Sequence, residues 1–240
     1  MSDLFFNNKQ LPLPKKEYVA FIDLMGTKNH MCRSVKDTSN FIFKLHAAIV
    51  AAWRKSAYQG VFVYPIMDGA YITSKKKENM EKILVKIFSD LAEIFIKENN
   101  PFHQFIPRCG LAYGEVIHGH DVPYQASKVF ELDLGYKNNI LLGQAMINSC
   151  MGEGSAAPFG VYLHETATNR AELGKSHGVF SDEWVWYESN EIKTSDGLAQ
   201  RLGGALETYY TILKDEQHAL HYPNDRIEEH ERKVKVYFKL

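Results

Sequence analysis

Asp23 closes an apolar run, Tyr18 to Asp23 (YVAFID), and Gly26, Thr27 and Lys28 follow within five residues. An acid at the end of a rigid strand is exposed enough to meet a cation and fixed enough to hold one, which directs attention to divalent-metal or phosphate chemistry. A second acid, Asp68, sits in an Asp-Gly step inside Val61 to Ser74 (VFVYPIMDGAYITS), a pattern that reads as a tight hairpin. Brought to one sheet edge, the two carboxylates would repel unless a cation neutralised them, and oxygen donors of this kind suit Mg²⁺ or Mn²⁺ shared with substrate phosphates. Gly26-Thr27-Lys28 would then offer backbone N–H groups and a cation to a phosphate. By residue type alone each aspartate reads equally well as a turn or cap residue.

The elements that must position these acids alternate along the chain. After the Tyr18 to Asp23 strand, Lys36 to Tyr58 places Phe41, Leu45, Ala48, Ile49 and Ala52 at helical spacing. The hairpin follows, then a second helix over Glu78 to Asn99, marked by Met80, Leu84, Ile87, Leu91 and Phe95 and ended by Asn-Asn-Pro. Arg108 to Gly119 (RCGLAYGEVIHG) reads as a further strand. This βαββαβ order predicts an α+β, ferredoxin-like antiparallel sheet with both helices on one face. The first strand and the first hairpin strand are expected as central neighbours, which would bring the two acids together. Beyond residue 139 the pattern predicts a short helix in LLGQAMINSCMGEG, strands in GVYLHE and VFSDEWVWYES, a helix over Ser195 to Ala219 interrupted at Gly203-Gly204, and a terminal strand, VKVYFKL. No repeat or linker divides the 240 residues, so one domain is expected, with a core over about 18–168 and a C-terminal elaboration over 169–240.

Composition narrows the partners. The formal net charge of −1, from 28 basic and 29 acidic residues, gives no electrostatic reason to expect a nucleic-acid polymer or an anionic membrane. Cys32, Cys109 and Cys150 form no CxxC pair and leave an odd number, which suits reduced thiols in a cytoplasmic protein. No leader or membrane-spanning run is read in the sequence.

The segments FIDLMG, YPIMDGAYIT, RCGLAYGEVIHG and LLGQAMINSCMGEGSAAPFGVYLHETA resemble, in order and spacing, the successive motifs of class III nucleotidyl cyclase catalytic domains. The resemblance implies that Asp23 and Asp68 bind two divalent ions, Mg²⁺ or Mn²⁺, with the backbone carbonyl of Leu24 completing one site. It also implies that the turn containing Gly26, Thr27 and Lys28 holds the triphosphate, and that the reaction is in-line attack of a ribose 3′-hydroxyl on the α-phosphorus with departure of pyrophosphate. A head-to-tail homodimer with composite active sites follows from the same resemblance.

The sequence departs from the purine cyclases at the base-reading positions. Where adenylate cyclases usually carry a lysine and guanylate cyclases a glutamate, this chain has Tyr64; where adenylate cyclases usually carry an aspartate, it has Ile140. Loss of both polar readers argues against ATP. A bulky tyrosine leaves room for a smaller base, and the short chain resembles the pyrimidine cyclases of bacterial Pycsar anti-phage systems. That branch implies UTP as substrate, cyclic UMP as product and a separately encoded effector that reads it. A cytidylate or purine cyclase and a non-catalytic nucleotide-binding dimerisation module are the alternatives. The family's helix asparagine and arginine fall on Ile147 and Met151, so Asn148 from the next position, and Lys28, Arg108 or Lys233 as replacement cations, are the candidates for transition-state or phosphate contacts. His118 to His120 (HGH) reads as a solvated loop, Cys109 and Cys150 as core thiols, and Trp184 and Trp186 as one buried and one rim residue.

Overall fold

The computed structural model describes residues 5–55, 60–168, 182–189 and 197–240. The chain builds β1 (Lys15–Leu24), α1 (Thr27–Arg33), α2 (Val35–Lys55), β2 (Val61–Ile66), β3 (Gly69–Ser74), α3 (Lys77–Lys97) and β4 (Pro107–His118). These give the βαββαβ core expected from the sequence. It continues through α4 (Leu134–Asn138), β5 (Leu141–Gly143), α5 (Gln144–Glu153), β6 (Val161–Leu163), α6 (Glu165–Thr168), β7 (Glu183–Trp184), α7 (Leu198–Lys214) and α8 (Asn224–Tyr237). The sheet order is β2-β3-β1-β4-β6-β7, with β5 paired to the end of β4.

Strand alternation divides β1 between two environments. Ala20, Ile22 and Leu24 join the large core formed with α2 and α3, where Met80, Leu84, Ile87, Leu91 and Phe95 repeat at helical spacing. Val19 turns to the opposite face and packs with Tyr64, Tyr71, Ala112 and Val116 beneath Ala145 of α5. Two missing side chains let α5 lie this close. A Cβ on Gly110 would fall 2.0 Å from the Ser149 carbonyl oxygen, and one on Gly114 would meet the Ala145 Cβ at 3.4 Å.

Three expectations are corrected. β1 pairs with β3 and β4, and β2 lies at the sheet edge: the hairpin folds back so that its second strand, buried at all six positions, takes the central place. The first four residues of the VKVYFKL run, Val234 to Tyr237, end α8, because they continue a helical pattern in which Ile227, Val234 and Tyr237 are buried at intervals of seven and three; Phe238 to Leu240 follow the helix. Gly203-Gly204 does not interrupt α7; Gly203 makes room for Leu240, whose Cδ1 would lie 2.3 Å from an added Cβ.

Within VFSDEWVWYES, residues 179–181 lie outside the described residues, Glu183–Trp184 pair with β6, and Trp186–Glu188 form a 3₁₀ turn. Both tryptophans are buried, Trp186 donating from Nε1 to the Phe159 carbonyl at 2.7 Å, so neither forms a rim. Residues 195–196 of the expected long helix likewise lie outside the description. Cys109 is buried, whereas Cys150 is exposed on α5. Leu206 and Tyr210 of α7, Val234 of α8 and Phe238 just after it share one hydrophobic cluster with Phe88 of α3. Among the described residues no helix is long and apolar enough to cross a membrane.

Candidate active site

The end of β1 positions the first acid by register. Asp23 lies opposite Gly69 of β3 and opposite Arg108 of β4. Asp68 directly precedes Gly69, because the hairpin turns on Met67 and Asp68 between the paired residues Ile66 and Gly69. Met67 accepts the positive φ of 39° there, and His46 of α2 donates from Nε2 to its carbonyl at 3.0 Å. Gly69 is therefore required by proximity rather than by the turn: a Cβ would lie 2.6 Å from the Ile22 carbonyl and 3.1 Å from Asp23 Oδ1. The expected meeting of the two acids survives the change of strand order, since the loop that carries Asp68 leads into the strand beside β1.

The electrostatics are those of crowded carboxylates. Burial, then the charges of Asp68 and Glu153, lift Asp23 from the ordinary 3.8 to about 7, against the smaller opposing pull of the Leu24 amide and Arg108. Arg108 is already engaged: its Nε lies 2.6 Å from Glu153 Oε1, joining the start of β4 to the end of α5, and it also approaches the Gly154 carbonyl. Lys233 of α8 reaches the Ser155 carbonyl at 3.4 Å and pairs with Glu229 at 3.3 Å. Its ammonium thus sits beside the loop that follows Glu153.

The turn after β1 has a fixed shape. Gly26 adopts φ 75°, and the buried Thr27 donates its hydroxyl to the Leu24 carbonyl at 3.0 Å. Thr27 thereby braces the turn with its side chain and leaves only its backbone N–H for a phosphate. Lys28 is exposed at the start of α1. Asp23, Asp68 and the Leu24 carbonyl would offer hard oxygen donors; among the described residues no group of three or more His, Cys, Asp or Glu could hold a metal. A Mg²⁺-type ion fits such a set, because it takes one or two protein carboxylates and fills its remaining positions with water and phosphate oxygens.

No protein-family profile matches the sequence, and no curated protein does. Solved structures match by shape. A bacterial light-regulated adenylyl cyclase superposes over 81% of this chain and 100% of its own, with a TM-score of 0.50 at 17% identity. The fold is that of a class III nucleotidyl cyclase domain. Two guanylyl cyclase domains align over less of the chain. That of the RhoGC fusion protein from the aquatic fungus Blastocladiella emersonii covers 66% of this chain and 84% of its own, at TM-score 0.49 and 19% identity. That of RhGC from Catenaria anguillulae, solved in complex with GTP, covers 65% and 81%, at TM-score 0.47 and 14% identity.

Within this fold the two candidate base positions, Tyr64 and Ile140, are each hydrogen-bonded to the end of β4 or the residue after it. Tyr64 is buried, and its hydroxyl is hydrogen-bonded to Nδ1 of His118 at the end of β4. Ile140 accepts from the neighbouring Gly119 N–H at 2.8 Å through its carbonyl. The histidine is thus no solvated loop residue: His118 and Glu17 are each 1% exposed, with Nε2 and Oε2 3.2 Å apart. Both Glu17 oxygens lack a hydrogen-bond partner, as does Thr73 Oγ1 on the same face. Glu17 lies six residues before Asp23 on β1, roughly 20 Å along a strand.

On α5, Asn148 accepts from Gln144 at 2.9 Å, whereas Ile147 and Met151 are 47% and 75% exposed. Sequence reasoning missed the roles of Glu17, His118 and Glu153. The period-two series Lys15, Glu17, Val19, Phe21, Asp23 carries a signal for the first of these, since it puts Glu17 on the face of Asp23. Glu153 meets Arg108, and His118 meets Tyr64 and Glu17, through tertiary packing, which no local spacing encodes.

Proposed function

We propose that the protein is a nucleotidyl cyclase acting as a homodimer, and that it converts UTP to 3′,5′-cyclic UMP and pyrophosphate. One observation supports the reaction above others: a strand-end carboxylate and a hairpin carboxylate that adjoin, the first held up at about 7 by burial and then by the charges of Asp68 and Glu153, beside a glycine turn on a cyclase fold. Asp23, Asp68 and the Leu24 carbonyl would hold divalent cations, which lower the pKa of the 3′-hydroxyl and neutralise the departing pyrophosphate. The 3′-oxygen bonds to the α-phosphorus as the bond to the β-phosphate bridging oxygen breaks, and the hydroxyl proton is lost. Gly26 and the Thr27 and Lys28 amides orient the triphosphate, and the Lys28 ammonium faces it from solvent. Lys233, beside the Glu153 loop, is the favoured cation in place of the absent helix arginine, since Arg108 is committed to Glu153.

The resemblance to class III cyclase domains supports a composite site, in which one protomer supplies the metal carboxylates and its partner the base pocket. The absence of a charged reader at positions 64 and 140 supports a pyrimidine over a purine, and the resemblance to Pycsar cyclases supports UTP, a role in anti-phage defence and a separate effector for the product. The exposed Ile147 and Met151 favour, as second reading, a nucleotide-binding dimerisation module without catalysis. Incubating the protein with each ribonucleoside triphosphate and Mn²⁺, with products resolved by chromatography and mass, separates these readings. Cyclic UMP that disappears in Asp68→Ala is the expected result, and activity restored by mixing Asp23→Ala with Tyr64→Ala chains would follow from shared sites. A purine product would overturn the base assignment. No cyclic product from a folded dimer would favour the binding module.

A further inference from the structure

A cavity of about 60 Å³ opens between the Met25–Gly26 turn, α1 and the C-terminal helices. On this measure one water takes about 10–15 Å³, so there is room for several waters or one small anion. One wall belongs to the core and carries His30 and Arg33 of α1; the other is built after residue 197, by Tyr209 of α7, His221 of the connection and His230 of α8. Among the described lining residues one arginine and three histidines face the space with no carboxylate, and neither Asp23 nor Asp68 contributes to it. The cavity therefore borders the candidate triphosphate turn without including the metal acids.

Arg33 is the standing donor of the lining. His221 Nδ1 lies 3.2 Å from the Leu213 carbonyl, which only accepts, so this nitrogen carries the hydrogen and Nε2 of the neutral ring is an acceptor. Arg33, exposed at the end of α1, has neither a hydrogen-bond nor an ion-pair partner among the described residues. His30 is held below the usual imidazole range by burial and by Arg33. Burial, then Arg108 and, more weakly, Lys233 and Arg226, hold His230 down at about 4 against the opposing pull of Glu229. Beyond burial, neighbouring cations lower both rings, and an anion beside His30 and His230 would oppose that effect and favour their charged, fully donating form.

We propose that this cavity is a binding site for a phosphate-sized anion, closed by the C-terminal elaboration and seated against the turn that follows Asp23. The fork of Arg33 and the imidazole N–H groups match phosphoryl oxygens, which accept several charge-assisted hydrogen bonds at once. The phosphoryl group has two sources: free phosphate, or the terminal phosphate of a nucleotide extending past the turn.

The test is calorimetric titration of the full chain with inorganic phosphate at constant ionic strength, with chelator present and no nucleotide. The readout is then independent of any cyclase activity, and a failure here leaves the proposed reaction untouched. Saturable binding is expected, weakened at least about tenfold in Arg33→Gln and in His230→Gln. Circular dichroism checks that each variant is folded, and exposed Arg33 keeps the test valid should the half-buried His230 disturb packing. Phosphate that fails to saturate, or that binds both folded variants as tightly as the parent chain, overturns the site. UTP titrated against bound phosphate separates the sources: competition assigns the cavity to the nucleotide's terminal phosphate, and independent binding assigns it to a free anion.

Discussion

Asp23→Asn should stabilise the metal-free protein while weakening its hold on divalent cations. The carboxylate rises from 3.8 to about 7 because burial and the charges of Asp68 and Glu153 disfavour its ionised form. At 1.36 kcal/mol for each tenfold change, that difference corresponds to about 4 kcal/mol if the folded state bore it entirely. Solvent reaches this strand end and screens the charge, which reduces the net effect to about 1–2 kcal/mol. The sign follows from linkage: an acid whose value is raised on folding favours the folded state at low pH, and that advantage is lost as pH climbs from about 4 to about 7. The amide keeps the shape of the side chain and removes the charge. In chelator at pH 8, differential scanning fluorimetry should therefore show the variant melting about 2–8 °C above the parent chain, given about 2–4 °C per kcal/mol at this size, with the gain shrinking toward pH 4.5. Adding Mn²⁺ should reverse the order, since a ligand at a hundred times its Kd stabilises by about 2.7 kcal/mol and the variant has lost a donor. A variant no more stable than the parent at pH 8, or a gain equal at both pH values, would refute the crowded-carboxylate account.

Two further substitutions probe the frame around the site. Gly110→Ala pushes a Cβ to 2.0 Å from the Ser149 carbonyl and 2.6 Å from the Glu153 amide, so urea denaturation should show a loss of about 1–3 kcal/mol or more; a change below about 0.5 kcal/mol would mean that α5 is not pressed onto β4 as described. His118→Leu strands the Glu17 carboxylate in the sheet interior and should destabilise by about 3–5 kcal/mol, whereas the double change with Glu17→Leu should recover most of that loss. If the double variant is no better than the single, the histidine acts mainly through Tyr64 and not through Glu17.

What the sequence shows and what it hides divide along the range of the interactions. Asp23 at a strand end, Asp68 in a hairpin and the helices between them are legible because alternation, helical spacing and turn residues are local signals, each read over a dozen residues or fewer. Strand order is not local. The two acids adjoin because β3, whose six positions are all buried, takes the place beside β1, a choice made by burial across the whole sheet. The final segment misleads for a related reason: VKVYFKL has strand-like residue types, but Ile227 earlier in α8 sets a helical phase that the packing against α7 and α3 then selects.

The corner around Tyr64 is the sharpest case of long-range assembly. Tyr64 is identifiable from its spacing to Asp68, yet its surroundings are made by Glu17, His118 and Gly119, which come from two other strands and the loop after them. A tyrosine hydroxyl that donates to a histidine retains only acceptor capacity for a base, and one that accepts from the histidine retains its own donor. Under the proposed reading, the direction of the Tyr64–His118 hydrogen bond would set which edge of a base Tyr64 can pair with. The proposed base choice would then rest on that buried histidine as much as on the tyrosine that the spacing singles out.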